Sequence, residues 1–137
     1  MGIHREVINP PAVADTVKYG FSQAVMVRGG CCVYLSGQVG IDAEERVVGP
    51  DIGTQAEAAL DNIAIILESL GGDLSQIVRL QLNVAEFARY EQESVTQVLC
   101  KHFPIDPPAT SWTIVCGLAE PEWLIEIVAE AVLEDLQ

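Results

Sequence analysis

The most regular pattern in the chain is a helical one over residues 54–70. Apolar side chains recur there every three or four residues and form a single stripe: Ala56, Ala59, Leu60, Ile63, Ile66, Leu67 and Leu70. Thr54 and Glu57 have the spacing of a capping box, which predicts Thr54 as the N-cap, and Gly71-Gly72 predicts where the helix ends. The pattern predicts one amphipathic helix with its apolar stripe against a core.

Residues 77–84 alternate with a period of two instead, as in a strand with one buried face. Val78, Leu80, Leu82 and Val84 are expected on that face, and Arg79, Gln81 and Asn83 on the other. A second helix is predicted from about Phe87 to His102, where Phe103-Pro104 ends it. Further strands are predicted over residues 3–8, 24–28, 31–36, 110–116 and 123–133.

Two glycines, Gly29 and Gly30, separate the strands predicted over residues 24–28 and 31–36. The favoured two-residue hairpin turns need positive φ, which glycine adopts without steric cost. The sequence therefore predicts a hairpin that pairs these two strands with each other.

The order of the predicted elements favours an α+β fold in a single domain over residues 1–137. Because each helix has one apolar stripe, both helices are expected to cover the same face of one mixed sheet. The opposite face carries both polar and apolar side chains: Arg79, Gln81, Asn83, Leu124, Glu126, Val128 and Glu130. Such a face is too apolar for solvent alone, so we expect it to be buried against other subunits.

Composition narrows the range of partners. The chain has 137 residues, 50% of them hydrophobic, and its 7 Lys and Arg against 20 Asp and Glu give a net charge of −13. So acidic a surface repels phosphate backbones and anionic lipids, and neither nucleic acid nor a membrane is expected as a partner. With no apolar run of membrane-spanning length and no signal-like N-terminus, the protein is expected to be soluble and cytoplasmic.

The 4 cysteines lack the spacing of a metal site. Cys31 and Cys32 are adjacent and so point to opposite faces of a strand, whereas Cys100 and Cys116 each stand alone. We expect reduced thiols, most of them buried, and no bound metal.

Glu126 interrupts an apolar strand, Leu124–Ala129, where the strand register directs its side chain to the open face of the sheet. Burial of a carboxyl group raises its pKa toward the range useful for proton transfer. Glu126 is therefore the candidate catalytic residue. The alternative is a structural glutamate that points outward or pairs with Arg79 across the sheet.

Candidate ligand contacts lie at strand ends and among the aromatic residues. Ser36-Gly37 follows an apolar strand and offers a hydroxyl and a closely approaching backbone, although a simple turn explains it equally well. Thr110-Ser111 begins another strand, where structural hydroxyls are the simpler interpretation. Phe21 and Trp112 can line a pocket, or they can pack in the core. The sequence has no Gly-rich phosphate loop.

Several segments together resemble one family, the reactive-intermediate deaminases, also called the Rid or YjgF family and formerly endoribonuclease L-PSP. The matching segments are Tyr19–Ala24 (Gly-Pro-Tyr-Ser-Gln-Ala in the family), Leu35–Val39 (a Ser-Gly-Gln strand end), Gln55–Gly71 (a helix with a glycine stop), Pro107–Ser111 (Pro-Pro-Ala-Arg-Ser) and Ile125–Ile127 (Val-Glu-Ile). They occur in the same order as in the family and extend over nearly the whole chain.

The resemblance implies a chorismate-mutase-like subunit and a homotrimer whose sheets form a central barrel, with clefts between subunits. It also implies hydrolysis of reactive enamines or imines, such as 2-aminoacrylate, to a ketoacid and ammonia without metal or cofactor. In the family an arginine binds the substrate carboxylate, which suits the fork geometry of its guanidinium group. A glutamate on the last strand positions the attacking water.

By this resemblance, Glu126 holds the place of the glutamate, Ser36-Gly37 the strand end and Phe21 the aromatic residue, where the family has tyrosine. Thr110 stands where the family has arginine, and Trp112 where a small residue or cysteine is common. We therefore expect a non-standard substrate, recognised by polar residues such as Arg79 or by packing on Trp112 and Phe21. The alternative is a trimer that binds a small molecule without catalysis.

Overall fold

The computed structural model describes residues 2–135. Its strands are β1 (His4–Ile8), β2 (Ala24–Arg28), β3 (Cys31–Tyr34), β4 (Gln38–Val39), β5 (Ile77–Ala85), β6 (Ala109–Val115) and β7 (Ile125–Leu133). The α-helices are α1 (Ile52–Glu68) and α2 (Gln92–His102), and 3-10 helices span Val17–Tyr19, Leu74–Gln76 and Glu86–Glu91. The second predicted helix thus starts as a 3-10 helix and becomes α-helical at Gln92.

The main sheet has the strand order β3-β7-β5-β6, and β4 also pairs with β7. β5 and β6 are parallel, whereas β7 is antiparallel to β3, β4 and β5. The sheet is therefore mixed, and β6 is a terminal strand. Within residues 2–135, the outer edge of β6 is paired only at its start, by a bridge between Ser22 and Ala109.

Both helices cover the same face of this sheet. Alternate residues of β5 and β7, such as Leu82 and Ile127, belong to one buried cluster with the apolar stripe of α1 and with Val95 and Leu99 of α2. Alternation along the strands and the three- to four-residue spacing along α1 thus meet in one core. This arrangement confirms the predicted α+β fold with two helices on one face of a mixed sheet.

The predicted hairpin between β2 and β3 is wrong, although its glycines have the predicted conformation. Gly29 and Gly30 have φ of 78° and 83°, as a two-residue turn requires. The strands on the two sides of this turn do not pair with each other. Before the turn, β2 pairs with β1 in a separate two-stranded sheet; after it, β3 pairs with β7. A Cβ on Gly30 would lie 2.6 Å from Val132 Cγ1, so close packing against β7 also requires glycine here.

Two finer predictions are corrected as well. The N-cap of α1 is Asp51 rather than Thr54, because the Asp51 carboxylate accepts the Thr54 N–H at 2.9 Å. In β5 a register shift between Ile77 and Arg79 turns Ile77, rather than Val78, into the fully buried residue.

The open face of the sheet is the face away from the helices. It carries the side chains predicted for it, with the exception of Leu124. Glu126, Val128 and Glu130 are half-buried and alternate along β7 with buried residues. Leu124, in contrast, precedes β7 and lies in the core, where its N–H donates to Gln55 Oε1 at 2.8 Å. Leu124 therefore does not belong to the open face.

The expectation that most cysteines are buried is wrong. Cys31, Cys32 and Cys116 are exposed, and Cys100 is half-buried. The reason is their placement, since β3 is a terminal strand and Cys116 follows β6 at the other edge of the sheet. Separately, neither α-helix within residues 2–135 is both long and apolar enough to cross a membrane.

Candidate functional site

The Glu126 side chain lies on the open face of the sheet and is half-buried in the isolated chain. Its strand partner on β5 is Asn83, whose Nδ2 donates to Glu126 Oε1 at 3.1 Å. No basic side chain within residues 2–135 forms an ion pair with this carboxylate. Of the two structural alternatives, the ion pair between Glu126 and Arg79 is therefore absent from the described residues.

A row of hydrogen bonds orients the Asn83 amide toward Glu126. Gln81 Nε2 donates to Thr113 Oγ1 at 2.9 Å and to Asn83 Oδ1 at 3.3 Å. Because the Asn83 oxygen accepts from Gln81, the Asn83 nitrogen is left to donate to Glu126. The row runs from β6 through β5 to β7 and fixes one oxygen of the Glu126 carboxylate.

Gly37, between β3 and β4, lies directly against the same carboxylate. A Cβ on this residue would stand 2.5 Å from both Cδ and Oε2 of Glu126. The glycine was predicted to let a ligand approach the backbone closely; the group that approaches in this chain is the Glu126 carboxylate. The neighbouring Ser36 is exposed, and its carbonyl accepts from Gln38 Nε2 at 3.2 Å. Glu126 is thus held between Asn83 and Gly37.

Arg79 and Ser111 also lie on the open face, but toward its other end. Arg79 Nη2 donates to Ser111 Oγ at 3.1 Å, and the partner of Arg79 on β7 is Glu130. Glu130 is four positions along β7 from Glu126, which is about 13 Å in a strand. The structure thus brings Arg79 and Ser111 together and separates this pair from the candidate catalytic carboxylate.

The other predicted residues, Phe21, Thr110 and Trp112, meet on the helix face of the sheet. They line a cleft of about 700 Å³ between β6, α2 and the segment that precedes β2. Thr110 is 9% exposed, and its hydroxyl donates to the Pro108 carbonyl at 3.3 Å. The Thr110 proton is therefore already used within the chain.

Sequence reasoning missed several residues of this cleft. Lys18 and Tyr19 line it from the 3-10 helix before Phe21, and Glu93 and Thr96 line it from α2. Lys18 and Tyr19 are close to Phe21 in the sequence, and this proximity was a usable signal. The contribution of α2 depends on how the helix crosses the sheet, for which the sequence has no local signal.

The cleft and Glu126 lie on opposite faces of the sheet. Trp112 pairs with the buried Leu82, whereas Asn83, the partner of Glu126, pairs with Thr113. β6 and β7 are separated by β5, so their backbones are about 10 Å apart. One small molecule therefore cannot contact both Trp112 and Glu126 of the same chain.

A third polar cluster joins the two helices and is distinct from both regions. Glu57 on α1 accepts hydrogen bonds from Lys101, at 2.7 Å, and from His102 on α2. Burial raises the pKa of Glu57, but the hydrogen bonds and positive charges of Lys101 and His102 outweigh burial and hold this pKa below its usual value. His102 is thus part of an interhelical contact.

The chain is thus an α+β subunit with two helices on one face of a mixed sheet. On the other face, Asn83 and Gly37 fix the position of the Glu126 carboxylate. The chain belongs to the endoribonuclease L-PSP family, whose family model matches residues 13–133.

Solved structures support this assignment. A Rid-family protein of unknown function from Yersinia pestis is 34% identical, with a TM-score of 0.88 over 94% of this chain and 98% of its own. A YjgF/YER057c/UK114-family protein from Mycobacterium tuberculosis is 30% identical, with a TM-score of 0.65 over 95% and 100%. Yeast Mmf1 is 26% identical, with a TM-score of 0.67 over 96% and 100%.

Proposed function

We propose that the protein is a hydrolytic deaminase of a reactive enamine or imine, with Glu126 as its catalytic residue. The observation that carries the proposal is the state of the Glu126 carboxylate. It has a fixed orientation through Asn83 and Gly37, and within residues 2–135 it has no basic partner to neutralise it. A carboxylate held in this way is able to accept a proton from water.

The reaction needs no group beyond such a carboxylate and water. Glu126 takes a proton from water while the water oxygen bonds to the imine carbon, and protonated Glu126 gives this proton to the imine nitrogen, which yields a carbinolamine. Glu126 then takes the hydroxyl proton of the carbinolamine and transfers it to the amino nitrogen, so that the C–N bond breaks, ammonia leaves, a carbonyl forms and the carboxylate is regenerated. One imine and one water thus yield one ketone or ketoacid and one ammonia. An enamine enters the same sequence after it gains a proton on carbon and loses one from nitrogen, which converts it to an imine.

We further propose that the site is completed between protomers of a homotrimer. Within one chain Glu126 and the Phe21–Trp112 cleft face opposite sides of the sheet, so a bound molecule reaches both only if they come from different chains. Val128 and Val132 lie half-buried among the polar side chains of the open face, and the outer edge of β6 is unpaired beyond Ala109 within residues 2–135. Both features favour contact with a second copy. In the trimer, contact between protomers at the open face excludes bulk water from Glu126.

The substrate differs from that of arginine-bearing relatives because Thr110 occupies the arginine position. The Thr110 hydroxyl already donates to the Pro108 carbonyl, and it cannot supply the paired N–H donors that a guanidinium group presents to a carboxylate. Cleavage of RNA, to which the family's name refers, is disfavoured by the net charge of −13.

The test is ammonia release from imines made in the cuvette. An amino acid oxidase converts a series of amino acids to 2-imino acids, and a lyase supplies 2-aminoacrylate; the purified protein is then added with a metal chelator present. The proposal predicts faster release than in buffer for at least one imine. Release at the buffer rate throughout the series would reject it.

A second candidate function is binding of a small molecule without catalysis. The observation that favours it is that the cleft at Phe21 and Trp112 is lined within one chain, without Glu126. A ligand that binds this cleft while no imine is hydrolysed faster than in buffer would support this alternative.

A further inference from the structure

The cleft at Phe21 and Trp112 is larger and more aromatic than a three-carbon imine requires. Its volume is about 700 Å³, and three aromatic side chains line it: Tyr19, Phe21 and Trp112. Ligand pockets of roughly 300–1,000 Å³ take molecules of drug size and are typically lined by such rings. Such a lining favours a planar apolar group, because aromatic rings attract one another in stacked and edge-to-face arrangements.

The same lining carries one positive charge. Lys18 lies in the 3-10 helix Val17–Tyr19, and its Nζ stands 5.2 Å from the centre of the Tyr19 ring. Within residues 2–135, Lys18 forms no ion pair with a carboxylate. An ammonium group at the rim of an aromatic cleft is suited to the anionic end of a ligand whose ring lies inside.

We propose that this cleft binds a planar apolar acid, with the ring on Phe21 and Trp112 and the carboxylate on Lys18. In this protein Lys18 thus takes over the recognition of the carboxylate, for which Thr110 is unsuited. The assignment of the substrate as a 2-imino acid with an aromatic side chain rests on the proposed function. The binding of the acid itself does not.

Glu93 makes the role of Lys18 testable by charge. Glu93 also lines the cleft, from the first turn of α2. The two charges act on a bound carboxylate with opposite sign, so removal of Lys18 leaves a cleft that repels an acid, and removal of Glu93 leaves one that attracts it. A neutral ligand of the same shape responds to neither change.

The experiment is calorimetric titration of the full chain with three probes: 3-phenylpropanoate, its neutral amide 3-phenylpropanamide, and propanoate, which lacks the ring. We expect the acid to bind about tenfold more tightly than the amide, as for a charge-assisted hydrogen bond, and propanoate to bind at least about tenfold more weakly than the acid. Lys18→Met should remove the preference for acid over amide, and Glu93→Gln should increase it.

Lys101→Met is the matched control, because it removes the same charge from the other lysine of the chain, which pairs with Glu57 away from the cleft. It should leave all three affinities unchanged. Equal binding of acid and amide by the unmodified protein, no binding of either, or an equal effect of Lys18→Met and Lys101→Met would overturn the proposal. Tight binding of the acid without hydrolysis of any imine would reject the proposed function and leave the ligand class intact.

Discussion

Gly37 and Glu126 are packed so closely that a side chain at position 37 and the observed carboxylate position exclude each other. A Cβ on Gly37 would stand 2.5 Å from Glu126 Oε2, a separation that non-bonded atoms do not tolerate. The atoms in the way belong to the end of a flexible side chain, so the carboxylate is able to move and the fold is not forced to. Gly37 is thus a positioning residue for Glu126.

A Gly37→Ala variant should therefore lose activity without losing its fold. We expect imine hydrolysis to fall by about tenfold to 100-fold, because small displacements of a catalytic group have effects of this size. The Tm should change by no more than a few degrees, since alanine also lowers the entropy of the unfolded chain. Gly117→Ala is the control, as no atom lies within 4 Å of a Cβ there. Equal activity of the two variants would contradict the positioning role.

Replacing Asn83 by aspartate should move the pH profile of activity. The new carboxylate would lie beside Glu126, where Asn83 Nδ2 is now 3.1 Å from Oε1, and two neighbouring carboxylates disfavour each other's ionisation. We expect the pH of half-maximal activity on the acid side to rise. Gln81→Glu adds the same charge one step farther along the row and should shift the profile less. Identical shifts, or none, would show that Asn83 does not act through Glu126.

Thr110→Arg should increase hydrolysis of 2-aminoacrylate. The arginine would extend into the cleft of about 700 Å³ and supply the bidentate donor for a small carboxylate that threonine lacks. Ser69→Arg is the matched control, since residue 69 is exposed at the end of α1 and lies outside both the cleft and the open face of the sheet. The prediction is that only Thr110→Arg lowers the KM for 2-aminoacrylate. A similar change in both variants would indicate a general effect of added positive charge.

The spacing of apolar residues predicted the helices and strands of this fold well, because burial of one face of each element determines that spacing. The apolar stripe of α1 and the alternation in β5 each reflect one face turned to a common core, and both are visible in the sequence. The hairpin at Gly29-Gly30 failed for the opposite reason. Glycine conformation is a local property, whereas the partner of β3 is β7, about 100 residues away along the chain, and no local signal specifies such pairing.

The candidate site shows the same limit. Glu126 stood out because a charged residue interrupted an apolar strand, but its contacts with Asn83 and Gly37 depend on strand register. Side chains alternate between the two faces of β6, so Thr110 and Trp112 lie on one face and Ser111 on the other. Only the pairing with β5 shows that Thr110 and Trp112 face the helices. The face of Glu126 was therefore predictable from the alternation in its strand, whereas its contacts, and the placement of Phe21, Thr110 and Trp112 on the opposite side of the sheet, were not.

The contact between the helices should make stability depend on pH. The pKa of Glu57 is held below its usual value by Lys101 and His102, so the contribution of this contact is present above the pKa of an unfolded glutamate and is lost as the pH falls through the folded value. Glu57→Gln should lower stability at pH 7 by no more than about 1 kcal/mol and converge with the unmodified protein in acid.

Urea unfolding at a series of pH values measures this difference. Glu68→Gln at the exposed end of α1 is the control, because Glu68 forms no ion pair within residues 2–135. A stability difference between Glu57→Gln and the unmodified protein that persists unchanged into acid would mean that the contact does not act through the ionised carboxylate.

Two isosteric variants, Glu126→Gln and Glu130→Gln, show whether the Glu126 carboxylate performs the hydrolysis. Glu130 lies on the same face of the same strand and is half-buried like Glu126. With the best imine of the series, we predict that Glu126→Gln lowers ammonia release by about 100-fold or more, whereas Glu130→Gln stays near the unmodified protein. Undiminished release by Glu126→Gln, or equal losses in both variants, would show that Glu126 does not perform the hydrolysis.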